Sequence, residues 1–249
     1  MSSNLASRGL RAILLDIEGT TTPISFVHDV LFSYARKHVR EYLTEHFTSA
    51  DVVADLALIR REQARDVEQG LNPPPLTEQP FNSQVDSLTK YIHWLIDRDR
   101  KSAPLKSLQG RIWKGGYLDG SLKAEVFPDV PPALSRWHRV GLTINIFSSG
   151  SRLAQQLLFA HTQVGDLTKF IDQYFDTTTG PKTDRESYCR IGLALNLAER
   201  EILFISDSFP ELDAARAAGM ATGWCVRSVG ENEESNANHP IVRTFDGIE

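Results

Sequence analysis

The chain has 249 residues, with 27 Lys+Arg against 32 Asp+Glu, so its formal net charge is −5; 41% of residues are hydrophobic and 24% charged. That balance belongs to an ordinary globular protein and lacks the basic stripe of a nucleic-acid binder. Its two cysteines, Cys189 and Cys225, form no C-x-x-C pair, which excludes a disulfide scaffold and a cysteine zinc site.

The opening MSSNLASRGLRAILLDIEGT holds no apolar stretch long enough for a secretory segment or a membrane span, so no membrane partner and a cytoplasmic location are expected. Residues 9–17 (GLRAILLDI) form a short apolar run that ends on an acid, the pattern of a strand buried on both faces. From 26 to 125 the pattern changes to helical period: FVHDVLFSYARKHVREYLTEHF, DVVADLALIRREQARDVEQ and SQVDSLTKYIHWLIDRDRK, with the proline-rich NPPPLTEQPF at 72–81 as a linker. Strand-like runs return at 142–150 (LTINIFSSG), 201–208 (EILFISDS) and 221–227 (ATGWCVR). They alternate with helical patterns at 131–141, 151–162, 184–197 and 210–219. Such alternation predicts an α/β fold, a doubly wound parallel sheet, with a helical insertion after its first strand. The expected division is therefore 1–25 and 126–249 as a core and 26–125 as an inserted helical domain. The polar SVGENEESNANHP near the end reads as a mobile tail segment.

Four segments at the ends of these elements carry groups suited to phosphoryl chemistry. Asp16 and Glu18 follow the first strand, and residues two apart in an extended chain point the same way. One carboxylate could attack phosphorus while the other handles a proton, with Gly19 permitting a sharp turn. Ser148-Ser149-Gly150 ends the second run and opens a helix, where hydroxyls and N–H groups can hold phosphate; plain capping by Ser149 or Ser151 is the alternative. Lys182, in Gly180-Pro181-Lys182-Thr183, either neutralises an attacking carboxylate and the phosphoryl group or is an exposed surface lysine. Asp207, in Ser206-Asp207-Ser208 with Glu211 and Asp213 following, is either a Mg²⁺ ligand or a helix cap. Ligands in doubly wound sheets bind at strand carboxyl ends, where all four segments lie.

D-x-[DE]-G-T, S-S-G, a lysine and an acid after an apolar strand, in that order, resemble the haloacid-dehalogenase superfamily of phosphohydrolases. The resemblance covers 9–25 and 126–228, and the insertion then resembles the mobile cap of many members. DIEGTTTPISFVHDVLF, KAEVFPDVPPALSRW, IFSSGSRLAQQLLF, YFDTTTGPKTDRESY and, in the insertion, DRDRKSAPLKSLQGRIW are similar to the acireductone-forming enolase-phosphatases of methionine salvage. Glu18, where the wider superfamily usually has aspartate, and the TTTPISF run both point to that family.

The resemblance implies a Mg²⁺-dependent phosphoric monoester hydrolase with one Mg²⁺ per subunit, acting on a small phosphate ester. Asp16 and Glu18 would be catalytic; Asp16, Glu18 and Asp207 would surround the metal, Glu18 through its main-chain carbonyl. Ser148, Ser149 and Lys182 would bind the substrate, 2,3-diketo-5-methylthiopentyl 1-phosphate, which is enolised and then dephosphorylated to acireductone. A monomer is expected, with a nuclear location in addition if the source is eukaryotic. Two other readings stay open: a superfamily phosphatase for another small phosphoester, and a phosphate-binding protein without turnover. The seven histidines (28, 38, 46, 93, 138, 161 and 239) form no metal-binding pair, and Trp94, Trp113, Trp137 and Trp224 read as core. Phe26 or Trp113 are candidates for an apolar wall against a methylthio group.

Overall fold

The computed structural model describes residues 9–100, 102–227 and 238–248. The chain divides into two compact units, Met1–Val27 with Lys123–Glu249 and His28–Leu122.

The first unit is built on a six-stranded parallel sheet: β1 (Ala12–Leu15), β2 (Thr143–Phe147), β3 (Gln173–Phe175), β4 (Ile202–Ser206), β5 (Ala221–Cys225) and β6 (Ile241–Val242). Their order is β3-β2-β1-β4-β5-β6, so the chain builds outward from β1 in one direction and then in the other. β1, paired on both edges and wholly buried, is the point where the winding reverses. Ligands in open α/β sheets bind outside the strand carboxyl ends at that point. In this unit α5 (Val130–Arg139) precedes β2, and α6 (Arg152–Ala160), α7 (Arg185–Leu195) and α8 (Phe209–Ala218) precede β3, β4 and β5. Tyr188 of α7 meets Phe147 of β2 and Phe204 of β4 at ring separations of 5.6 and 5.2 Å. Trp137 of α5 is fully buried, its indole N–H donating to the Ile248 carbonyl at 3.0 Å.

The second unit holds α1 (Ser33–His46), α2 (Ala50–Glu68), α3 (Phe81–Ile96) and α4 (Ala103–Asp119). α1 and α2 pack on α4, and α1 also packs on α3, around Val39, Leu43, Leu56, Ile59, Leu88 and Leu108. Among the described residues no helix is long and apolar enough to cross a membrane.

Three sequence expectations need correction. The helical pattern at 26–47 does not begin as an α-helix: Phe26–Phe32 is a π-helix, whose wider turn leaves main-chain groups to be satisfied elsewhere. Trp113 satisfies one, its N–H donating to the Leu31 carbonyl at 2.8 Å. The helix expected at 83–101 stops at Ile96, because Asp99 takes a left-handed conformation with φ 46°. Arg100 then turns back to pair with Glu62 and the buried Asp66, which also accepts a hydrogen bond from Tyr91 at 2.7 Å. Of the expected mobile tail, 228–237 lies outside the described residues. His239 beyond it is buried, 2.8 Å from Thr222 Oγ1, and the next residues add β6 to the sheet edge.

Candidate active site

β1 ends at Leu15, but the Asp16 N–H still donates to the Ile205 carbonyl at 3.0 Å, so Asp16 is held at the sheet's carboxyl edge beside β4. The chain then turns. The Ile17 carbonyl accepts the N–H groups of Thr20, Thr21 and Thr22 at 3.2, 2.9 and 2.9 Å, and Gly19 adopts φ 68°. Because the strand stops before Asp16, strand alternation does not place Glu18. It sits half-buried in the loop, bridged to Thr22.

The Asp16 carboxylate is buried and accepts three hydrogen bonds. Oδ1 takes the Ile17 N–H at 2.7 Å and Lys182 Nζ at 2.6 Å; Oδ2 takes the Ser206 hydroxyl at 3.0 Å. A carboxylate offers about four lone-pair positions. Three donors therefore fix its plane and leave one direction for another partner.

Lys182 is 7% exposed, which rejects the surface-lysine reading. Its ammonium lies 2.6 Å from both Asp16 Oδ1 and Glu211 Oε2. Burial works against the charge, but the two carboxylates outweigh it and hold the Lys182 pKa above the ordinary lysine value. The segment leading to it is tightly built: the Lys182 carbonyl accepts the Tyr188 hydroxyl at 2.7 Å, and a Cβ on Gly180 (φ 142°) would fall 2.3 Å from Ser187 Oγ.

Ser148 follows β2, is buried, and accepts the Gly150 N–H at 3.2 Å. Ser149 beside it is half-buried. The capping role falls to Ser151, which accepts the Ala154 N–H at 3.3 Å. The loop is tied to β3 by Gln155, whose amide donates to the carbonyls of Gly150 and Phe175 at 2.8 Å each. Ser148 and Ser149 thus stand at the N-terminal end of α6, where N–H groups and the helix dipole favour an anion.

Asp207 follows β4, and the residue at the α8 cap position is Ser208, with no side-chain capping bond. Asp207 instead leans over the β1 loop: a Cβ on Gly19 would lie 2.2 Å from Asp207 Oδ2. Burial, then Asp16 and Glu211, push the Asp207 pKa up to about 7. Glu211, from the first turn of α8, is the residue the sequence reading left without a role. It accepts Lys182 and lies 3.1 Å from the Ser206 hydroxyl, whose one proton it shares with Asp16, and burial followed by Asp16 raises its pKa to about 6. Asp213 faces away, pairing with Arg216 and His239 at 3.1 Å each.

Direct contacts therefore join Asp16, Lys182, Ser206 and Glu211, with Asp207 packed over Gly19; the Ser148–Ser149 pair occupies the neighbouring strand end. Three carboxylates share this site with one ammonium, an excess of negative charge that a divalent cation would relieve. Among the described residues no three His, Cys, Asp or Glu side chains converge into a closed metal cluster. Mg²⁺ needs none, because it keeps several waters and takes one or two carboxylates. The donor set, all oxygen, fits it.

Residues 10–219 match the family model described as haloacid dehalogenase-like hydrolase. The chain is 47% identical over 241 residues to the enolase-phosphatase E1 of Synechococcus elongatus, covering 96% of this chain and 98% of the relative. Its identity to the enolase-phosphatase E1 of Sorangium cellulosum is 44% over 244 residues, 98% and 99% of the two chains. The chain belongs to the enolase-phosphatase E1 family. Members are haloacid dehalogenase-like hydrolases, a group that generally works with Mg²⁺. Among solved structures, the UTR4 protein of Saccharomyces cerevisiae superposes with a TM-score of 0.74 at 32% identity, covering 95% of this chain and 99% of that one.

Proposed function

We propose that the Asp16 site carries out both steps of an enolase-phosphatase in methionine salvage. The observation that carries this reading is the Asp16–Lys182–Glu211 constellation, with Asp207 beside it, in a chain whose full-length relatives are named for that activity. The substrate is 2,3-diketo-5-methylthiopentyl 1-phosphate and the products are acireductone and phosphate.

Asp16 is the nucleophile. Its carboxylate oxygen forms a bond to phosphorus while the bond from phosphorus to the C1 oxygen breaks, and Glu18 delivers a proton to that leaving oxygen. Water then cleaves the aspartyl-phosphate and regenerates Asp16. In the preceding enolisation, Glu18 removes a proton from C1 and keeps it for the leaving oxygen, while solvent water supplies the proton taken up by the C2 oxygen. Ser148 and Ser149, at the α6 N-terminus, orient the phosphate, and the Lys182 ammonium offsets the charge gathered around Asp16 and the phosphoryl group. Asp16, Asp207 and the main-chain carbonyl of Glu18 would hold one Mg²⁺. When bound, that ion would supply electrostatic stabilisation of the phosphoryl oxygens and of the developing enolate. The helical unit, His28–Leu122, is assigned the cap role that the family resemblance implies.

Purified protein incubated with the diketone phosphate and Mg²⁺, followed by proton and phosphorus NMR, tests the reading. Acireductone and phosphate should appear together. Phosphate release from unrelated sugar phosphates at equal or higher rate, without acireductone formation, would overturn it.

A further inference from the structure

In the Ile17–Thr22 turn three N–H groups point inward onto the Ile17 carbonyl, and Thr20, Thr21 and Thr22 are fully buried. The outward carbonyls of the turn therefore need partners from the protein, not from water. Thr21 finds the Phe127 N–H at 3.0 Å. Thr20 finds a guanidinium: Arg227 donates to its carbonyl through Nε at 3.0 Å and through Nη2 at 2.7 Å.

That guanidinium is itself held on every side. Nη1 pairs with Asp129 at 2.7 Å and reaches the Arg243 carbonyl at 3.4 Å, while the Phe127 and Phe245 rings stand 4.4 and 4.5 Å from its central carbon. Asp129 also accepts the Phe245 N–H at 2.6 Å. The Arg227 and Asp129 side chains are 10% and 11% exposed. A planar fork locked between two rings and bonded twice to one carbonyl defines the orientation of that peptide, which a lysine's single point donor cannot do.

β1 does not need this clamp, because it is paired on both edges, and the turn already closes on Ile17. What the clamp adds lies one residue away. Between Thr20 and Glu18 stands Gly19, whose N–H donates to the Thr22 carbonyl at 2.9 Å, so the peptide carrying the Glu18 carbonyl hangs on the Thr20–Thr22 segment that the clamp holds. We infer that Arg227 is a positioning residue for the reaction: by fixing the Thr20 peptide, it fixes how Glu18 presents its main-chain carbonyl and its carboxyl. The inference rests on the roles proposed above for Glu18 and Mg²⁺.

The test compares Arg227→Ala with Arg136→Ala. Arg136 anchors the same C-terminal segment, donating to the Phe245 and Ile248 carbonyls at 2.7 and 3.2 Å, but has no bond to Thr20. Mg²⁺ affinity is read by titration calorimetry, independently of turnover, beside thermal unfolding. Arg227→Ala should bind Mg²⁺ about tenfold or more weakly, the usual size for loss of a group behind a metal ligand. Added guanidinium should restore binding, whereas methylammonium and the Arg227→Lys variant should not. Arg136→Ala should unfold at lower temperature yet bind Mg²⁺ like the unaltered protein. If Arg227→Ala does not fold, Asp129→Asn should show the same weakening in smaller degree. Unchanged Mg²⁺ affinity in folded Arg227→Ala, or in Asp129→Asn where that variant is used, overturns the inference, as does an equal loss in Arg136→Ala. Failure of the unaltered protein to bind Mg²⁺ or release phosphate would reject the underlying functional reading instead.

Discussion

At Gly19 the backbone has φ 68°, and the Asp207 carboxylate fills the place where a side chain would begin, 2.2 Å from an ideal Cβ. Both facts exclude any larger residue, one by backbone strain and the other by overlap. Gly19→Ala should therefore displace Asp207 and lower phosphate release by about 10²-fold, as expected for disturbing a positioned catalytic group; steady-state assays across a Mg²⁺ series would check it, and near-normal turnover would speak against the assignment of Asp207. Asp16 and Asp207 were legible as candidates in the sequence because each follows an apolar run at a strand end, whereas Glu18 was a candidate only by alternation from Asp16, and the strand stops before it. Lys182 was legible only as a candidate, since nothing local distinguishes it from a surface lysine; its burial comes from Gly180, Ser187 and Tyr188 packing around its backbone. Glu211 went unassigned for a similar reason. An acid in the first turn of a helix is ordinarily explained by the helix dipole, and only the fold brings it to 2.6 Å from Lys182.

The elements divide by length and burial. β1, β2 and β4 announce themselves as apolar runs because both of their faces are covered. β3 has three residues with only Phe175 buried, and β6 has two, so neither produces a periodic signal, and their place in the sheet comes from pairing with β2 and β5. The π-turn at Phe26–Phe32 is invisible to periodicity because its apolar residues still fall near helical spacing. In the helical unit, α4 approaches α1 closely at Gly116, where a Cβ would lie 2.6 Å from the Tyr34 ring. Gly116→Ala should destabilise that unit by about 1–3 kcal/mol, the usual cost of overpacking. Denaturant unfolding would measure it, and a stability equal to or above that of the unaltered protein would show that Tyr34 moves aside freely.

Across the whole molecule the acids outnumber the bases, and the concentration at the site matters more than the total. Asp207 has its pKa raised from 3.8 to about 7 by burial and by Asp16 and Glu211, so the folded state holds its proton more tightly than the unfolded chain does. The favourable contribution is present at low pH and is lost as pH rises through that window. Metal-free protein should accordingly gain about 1–2 kcal/mol at pH 8 from Asp207→Asn, a figure discounted for partial solvent access, and little at pH 4. Mg²⁺ should raise the unfolding temperature of the unaltered protein more at pH 8 than at pH 5, and thermal scans at both values would show it. The central claim, that one site performs two separable reactions, is tested most directly by proton NMR of the diketone phosphate in deuterium oxide with Asp16→Asn and Glu18→Gln. Enolisation needs a base but no nucleophile on phosphorus. Asp16→Asn, with metal binding verified, should exchange the C1 proton slowly and release no phosphate, while Glu18→Gln should lose both by about 10²-fold or more. Full phosphate release by Asp16→Asn, or normal C1 exchange by Glu18→Gln, would contradict the account.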